Sequence, residues 1–184
     1  MQHSICVFCG ARDGAKPEYL TAAQELGREI AANDWRLVFG AGDKGIMGAV
    51  SASAAEQGAK KMGVIPTHLL GFETNNADPR ENIVTDDMHS RKKLMFVNSD
   101  AVVLLPGGVG SLDEFFEVLT WAQLGLHDRP IIVGNIAGYW TPLMDLLDHV
   151  IDQGFASPSL KDHFSVEGDV TGMVAALRSA LNTE

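Results

Sequence analysis

The stretch Ala101-Val102-Val103-Leu104-Leu105-Pro106-Gly107-Gly108-Val109-Gly110-Ser111-Leu112-Asp113-Glu114 decides how the chain is read. Its first five residues are apolar, rich in branched side chains and without polar alternation, as suits a strand buried on both faces. Pro106 and a cluster of glycines then stop the strand, and Leu112, Phe115, Phe116, Leu119 and Ala122 recur at helical spacing. A strand, a glycine turn and a helix in that order are the repeating piece of a sheet whose strands run parallel.

The rest of the chain repeats the pattern. Short apolar runs at 5–9, 37–39, 62–65 and 131–133 alternate with helical stretches. Pro17 opens the first helix, with Leu20, Ala23, Gly27, Ile30 and Ala31 along one face. Further helices are predicted at 46–57, 89–99, 111–124, 142–153 and 170–182, with Thr141 and Asp169 as N-caps. The fold expected is α/β, a Rossmann-like three-layer αβα sandwich with a mainly parallel sheet, in one domain over residues 1–184. Residues 67–80, with Gly71, Asn75, Asn76 and Pro79, read as a loop or lid. Such sheets bind ligands beyond the carboxyl ends of their strands, where the glycines cluster.

Composition removes several classes of function. The chain has 14 Lys+Arg against 24 Asp+Glu, a formal charge of −10, whereas a nucleic-acid polymer is normally held by a basic stripe. No apolar run exceeds five residues, far short of the roughly 20 of a membrane span or the 7 or more of a signal-peptide core. A soluble, cytoplasmic protein is expected, with no membrane partner. Cys6 and Cys9 form a C-x-x-C, but inside a strand rather than at a helix start, so they read as buried thiols on opposite faces. The histidines show no H-x-x-x-H pair, and no four-ligand Cys/His set for zinc is present.

Two glycine turns can hold an anion. The first, Gly40-Ala41-Gly42-Asp43-Lys44-Gly45, fits G-x-G-x-x-G between a strand and a helix. A nicotinamide enzyme would want a carboxylate at the end of the next strand, but Val64-Ile65-Pro66-Thr67-His68 has none. A phosphate turn and a purely structural turn both stay open there, and Ala41 fits a positive φ poorly. The second turn, Gly107 to Gly110, lacks the Gly-Lys-Ser/Thr of a kinase-type loop but could present backbone N–H groups to a phosphate.

Ser111-x-x-Glu114 also matches a capping box, which would occupy both side chains locally. With the apolar stripe on one side of this helix, Asp113, Glu114 and Glu117 fall on the other, beside the expected anion pocket. Upstream, Arg91-Lys92-Lys93 is the densest basic cluster of an acidic chain, and it lies near a helix start, where positive charge opposes the macrodipole. An anionic ligand would explain it: Arg91 offers a planar fork to phosphate oxygens and Lys92 a mobile point charge.

Taken together, Pro106-Gly107-Gly108-x-Gly110-Ser111-x-x-Glu114 and the preceding Met88-His89-x-Arg91-Lys92 resemble the LOG (Lonely Guy) family of cytokinin riboside 5′-monophosphate phosphoribohydrolases. The likeness runs from the Cys-Gly after the first strand to Thr120-Trp121-Ala122-Gln123-Leu124-Gly125 and Pro130. It implies Arg91 and Glu114 as the catalytic pair. Glu73, Lys92, Gly107, Gly108, Val109, Gly110, Ser111, Leu112, Asp113 and Thr120 would surround the nucleotide, with Gly40 and Gly42 in the first turn. It implies a homodimer, a small-molecule nucleotide as partner and no metal or redox cofactor. The chain departs from the family in having Gly40-Ala41-Gly42 for three glycines and Ser111 for threonine, which keeps the hydroxyl.

Overall fold

A computed structural model describes residues 2–72 and 82–181. Seven strands form one parallel sheet: β1 (Ser4–Phe8), β2 (Arg36–Phe39), β3 (Lys61–Pro66), β4 (Asn82–Thr85), β5 (Ala101–Leu104), β6 (Ile131–Gly134) and β7 (Ser165–Glu167). They lie side by side in the order β4-β3-β2-β1-β5-β6-β7. The helices between them are α1 (Pro17–Ala32), α2 (Gly45–Glu56), α3 (Met88–Val97), α4 (Val109–Gln123), α5 (Thr141–Asp152) and α6 (Val170–Leu181).

Alternation along the strands feeds two cores. On one face Ile5, Val7 and Cys9 pack with Leu26 and Ile30 of α1, Val50 of α2 and Met173 of α6. On the other, Cys6 and Phe8 pack with Met95 of α3, Phe115 and Val118 of α4 and Leu143 of α5. The sheet is thus covered on both sides, and the unalternated apolar runs follow from that. Cys6 and Cys9 are both buried and unpaired, one in each core, as their spacing in a strand dictates.

The chain winds outward from β1 in both directions, so β1 and β5 are neighbours that diverge, with Phe8 level with Leu104. The loops beyond these two strands part around a crevice, the usual ligand position in this architecture.

Several local expectations are corrected. Strands β4 and β7 stand at the two sheet edges; they are short, with Ile83, Val84 and Val166 exposed, and take their extended form from the neighbouring strand rather than from a pattern of their own. Trp140, not Thr141, is the N-cap of α5, with Pro142 in the first turn; the Thr141 hydroxyl instead accepts from Asn135 Nδ2 at 3.2 Å. Asp169 does cap α6, accepting from Gly172 N at 2.8 Å. Among the described residues no helix is long and apolar enough to cross a membrane.

Candidate active site

The crevice at the β1/β5 divergence is a cleft of about 660 Å³. Its walls come from the loop after β1, from Pro106 to Ser111, and from Arg91, Glu114 and Tyr139. A wider hollow of about 930 Å³ near His127 and Arg129 lies at the opposite, amino-terminal ends of β6 and β7. We place the site in the smaller cleft, because it is there that strand ends, glycine turn and helix start converge.

Arg91 is held from below. It is 4% exposed, and its Nε donates to the Val64 carbonyl at 3.0 Å and one Nη to the Gly40 carbonyl at 2.7 Å. Two strand ends therefore fix the plane of the guanidinium. A β-carbon on Gly40 would lie 2.1 Å from that Nη, so the first glycine turn makes room for an arginine. This corrects the direct contact expected of Gly40 and Gly42. Neither lines the cleft, and the Gly42 N–H donates to the Met47 sulfur at 3.1 Å. Ala41 sits at φ 61, the strained left-handed region that its position in the family pattern gives to glycine.

The second turn does face the cleft. Gly107, Gly108, Val109, Gly110 and Ser111 all line it. Gly108 is the N-cap of α4 and makes no side-chain cap, and the first helical bond runs from Leu112 N to the Gly108 carbonyl at 3.1 Å. The N–H groups of Val109, Gly110 and Ser111 are thus left without an intrahelical acceptor, as at any helix start. The capping box read from Ser111 and Glu114 does not form, since the helix begins two residues before Ser111, at Val109. Ser111 instead packs on Gly107, where a β-carbon would fall 2.1 Å from its hydroxyl and 2.8 Å from Gly10 N.

The buried stripe of α4 is also rotated from the one read in the sequence. Ser111, Glu114, Phe115, Val118, Leu119 and Ala122 are buried, with Leu112 and Phe116 only partly so. Glu114 therefore sits on the inward side at 9% exposure, on the cleft wall, separated from exposed Asp113. The Cys9 thiol is pushed well above its ordinary value, first by burial and next by the Glu114 carboxylate, with Arg91 pulling the other way. Cys9 thus stays neutral between the two opposite charges.

Lys92 does not reach the cleft. It is 6% exposed, and its Nζ lies 2.9 Å from Asp113 and 3.3 Å from Glu117. The expectation of a mobile charge for phosphate is corrected: a buried ammonium needs carboxylates, and α4 supplies two. Burial lowers the affinity of Lys92 for its proton, but the hydrogen bonds to Asp113 and Glu117 outweigh this and raise its pKa above the ordinary lysine value. The basic residues near the start of α3 are also offset by Asp87, which caps the helix by accepting from Ser90 N at 2.7 Å.

Leu112 and Asp113 lie off the cleft lining, as does Thr120, whose hydroxyl donates to the Phe116 carbonyl at 2.6 Å. Glu73 lies outside the described residues. Sequence reading missed Arg12, Tyr19, Met47, Met88 and Tyr139, all of which line the cleft. A search of every loop following a strand would have reached Arg12. Tyr139 has no such signal, because only the turn at Ile136–Gly138 brings it over the glycine loop, where its hydroxyl donates to the Gly107 carbonyl at 2.5 Å.

A family model described as possible lysine decarboxylase matches residues 47–177. The chain is 41% identical over 177 residues to the cytokinin riboside 5′-monophosphate phosphoribohydrolase of Rhodococcoides fascians, covering 96% of this chain and 89% of that one. It is 42% identical over 158 residues to the Arabidopsis thaliana enzyme LOG3, covering 86% of this chain and 74% of the other. Among solved structures, the Moco carrier protein of Chlamydomonas reinhardtii has the same fold, with a TM-score of 0.75 at 23% identity over 100% of both chains. The molybdenum cofactor binding protein of Rippkaea orientalis superposes with a TM-score of 0.72 at 21% identity, covering 99% of each chain. With its glycine turn, buried arginine and inward glutamate at the positions of the motifs, and this identity over nearly its whole length, the chain belongs to the LOG family of cytokinin riboside 5′-monophosphate phosphoribohydrolases.

Proposed function

We propose that the chain hydrolyses the N-glycosidic bond of adenosine-type 5′-monophosphates, cytokinin ribosides among them, to free base and ribose 5-phosphate. The observation that carries this is that Glu114 and Arg91 line the same cleft as the open N-terminus of α4. In the reaction the bond between C1′ and N9 breaks and its electron pair leaves with the base, which takes up a proton. Water adds to C1′ and loses one. The sugar passes through an oxocarbenium-like state. Glu114, largely shielded from water, stabilises that cation or takes the proton of the attacking water. Arg91, held rigid by two carbonyls, supplies fixed positive charge for the leaving base. The helix start and its glycines hold the 5′-phosphate, so a group remote from the reaction positions the ribose.

The test is incubation of purified protein with AMP and with N6-isopentenyl-AMP, followed by chromatography for free base. Glu114→Gln is expected to keep nucleotide binding and lose turnover by a factor of at least 10². Full activity in that variant overturns the assignment, and binding without base release by the unmodified protein makes it a nucleotide-binding module instead. We further propose that the chain works as a homodimer in the cytoplasm. Supporting this are the exposed Val97, Leu124 and Leu126 at the ends of α3 and α4, and two unpaired thiols that suit a reducing compartment.

A further inference from the structure

We propose that Arg12, in the loop after β1, is the side chain that binds the 5′-phosphate and makes the cleft selective for phosphorylated ligands. This rests on the reading of the cleft as a nucleotide site. Among the described residues the charged side chains on the cleft lining are Arg12, Asp13, Arg91 and Glu114, which sum to no net charge. A phosphate dianion entering such a lining needs a cation with hydrogen-bonding capacity to spare. Arg91 has already given its Nε and one Nη to backbone carbonyls. The start of α4 contributes only about two- to fivefold in affinity through its dipole at an exposed site.

Arg12 meets the need. It lines the cleft and is exposed, and its guanidinium makes no hydrogen bond or ion pair among the described residues, with neighbouring Asp13 equally unpaired. Its backbone, in contrast, is fixed. The Arg12 carbonyl accepts from Ile46 N at 3.4 Å, and on the same loop Gly10 donates to the Pro106 carbonyl at 3.0 Å and accepts from Met47 N at 3.0 Å. Gly45, at φ +63, allows α2 to approach so closely that a β-carbon there would lie 2.3 Å from Arg12 N. The loop is thereby clamped between α2 and the phosphate turn: Gly10 packs on Gly107, and a β-carbon at Gly10 would come 3.2 Å from the Gly107 Cα. A rigid mount carrying an uncommitted planar fork, on the lining of the same cleft as the start of α4, is suited to phosphate oxygens.

Titration calorimetry of the full chain with ribose 5-phosphate, and separately with adenine, tests this. Arg12→Ala is expected to weaken ribose 5-phosphate about tenfold or more while adenine binding changes less than twofold, and Arg12→Lys is expected to recover part of the loss. Unchanged ribose 5-phosphate affinity in Arg12→Ala overturns the proposal. Equal weakening of both ligands also overturns it, because Arg12 would then only support the loop. Failure of the unmodified protein to bind ribose 5-phosphate refutes the nucleotide reading itself, and the assignment of Arg12 with it.

Discussion

A single methyl group at Gly40 would come within 2.1 Å of an Arg91 nitrogen, and the guanidinium would have to leave its two carbonyls. Gly40→Ala is therefore expected to cost about 1–3 kcal/mol of stability through overpacking and to lower kcat/KM at least tenfold, read from denaturant melts and base-release assays. Gly108 is the counter-case, since a β-carbon there meets nothing within 4 Å. Gly108→Ala should melt almost as the unmodified protein does and still raise KM, because the added carbon occupies ligand space. Lys92 makes the third case at this scale. Removing it as Lys92→Met leaves Asp113 and Glu117 facing each other without a cation, at an expected cost of about 2 kcal/mol, discounted because Asp113 is half-exposed. Its folded pKa is raised above the ordinary 10.5, so its stabilisation is complete below that value and is lost as pH rises through the folded one. Urea melts of the two proteins should differ at pH 7 and converge in the alkaline range above 10.5.

At the scale of elements, the part of the site that eluded the sequence is a matter of where helices and turns begin. Ser111 and Glu114 have the spacing of a capping box, but the helix starts at Val109 because Gly108 already occupies the N-cap position. That shift turns Glu114 inward and leaves the first N–H groups available to a ligand. The turn at Ile136–Gly138 behaves similarly. Ala137 and Gly138 both have positive φ, at 50 and 74, and the strained turn delivers Tyr139 to the glycine loop. Its hydroxyl occupies the Gly107 carbonyl, an oxygen that would, under the proposed function, otherwise be free to repel a phosphate held at this turn. Tyr139→Phe is expected to lose about 1 kcal/mol of stability and to raise KM for the nucleotide with kcat little changed, as steady-state rates would show. An equal loss in kcat would place Tyr139 in the chemistry instead.

Across the whole molecule, the charge of −10 and a cleft lining without net charge among the described residues are compatible with a phosphate ligand because binding one nucleotide needs only a local arrangement of cation and N–H groups, not a basic surface. The exposed apolar side chains at the ends of α3 and α4 predict self-association, and sedimentation equilibrium should give twice the chain mass, with Leu124→Glu shifting it toward the monomer. The parallel three-layer architecture, the division of Cys6 and Cys9 between two cores and the second glycine turn were determined by the sequence, because they follow from short-range periodicity and spacing; the family was legible there too, through the resemblance of its motifs. Edge strands β4 and β7, the pairing of Lys92 with α4, the use of Gly40 to seat Arg91, and the arrival of Arg12 and Tyr139 in the cleft lined by the second glycine turn were decided only in the tertiary structure. Each depends on a partner distant in the chain, so no local pattern records it, and burial then determines which charges are paired within the protein and which remain for a ligand.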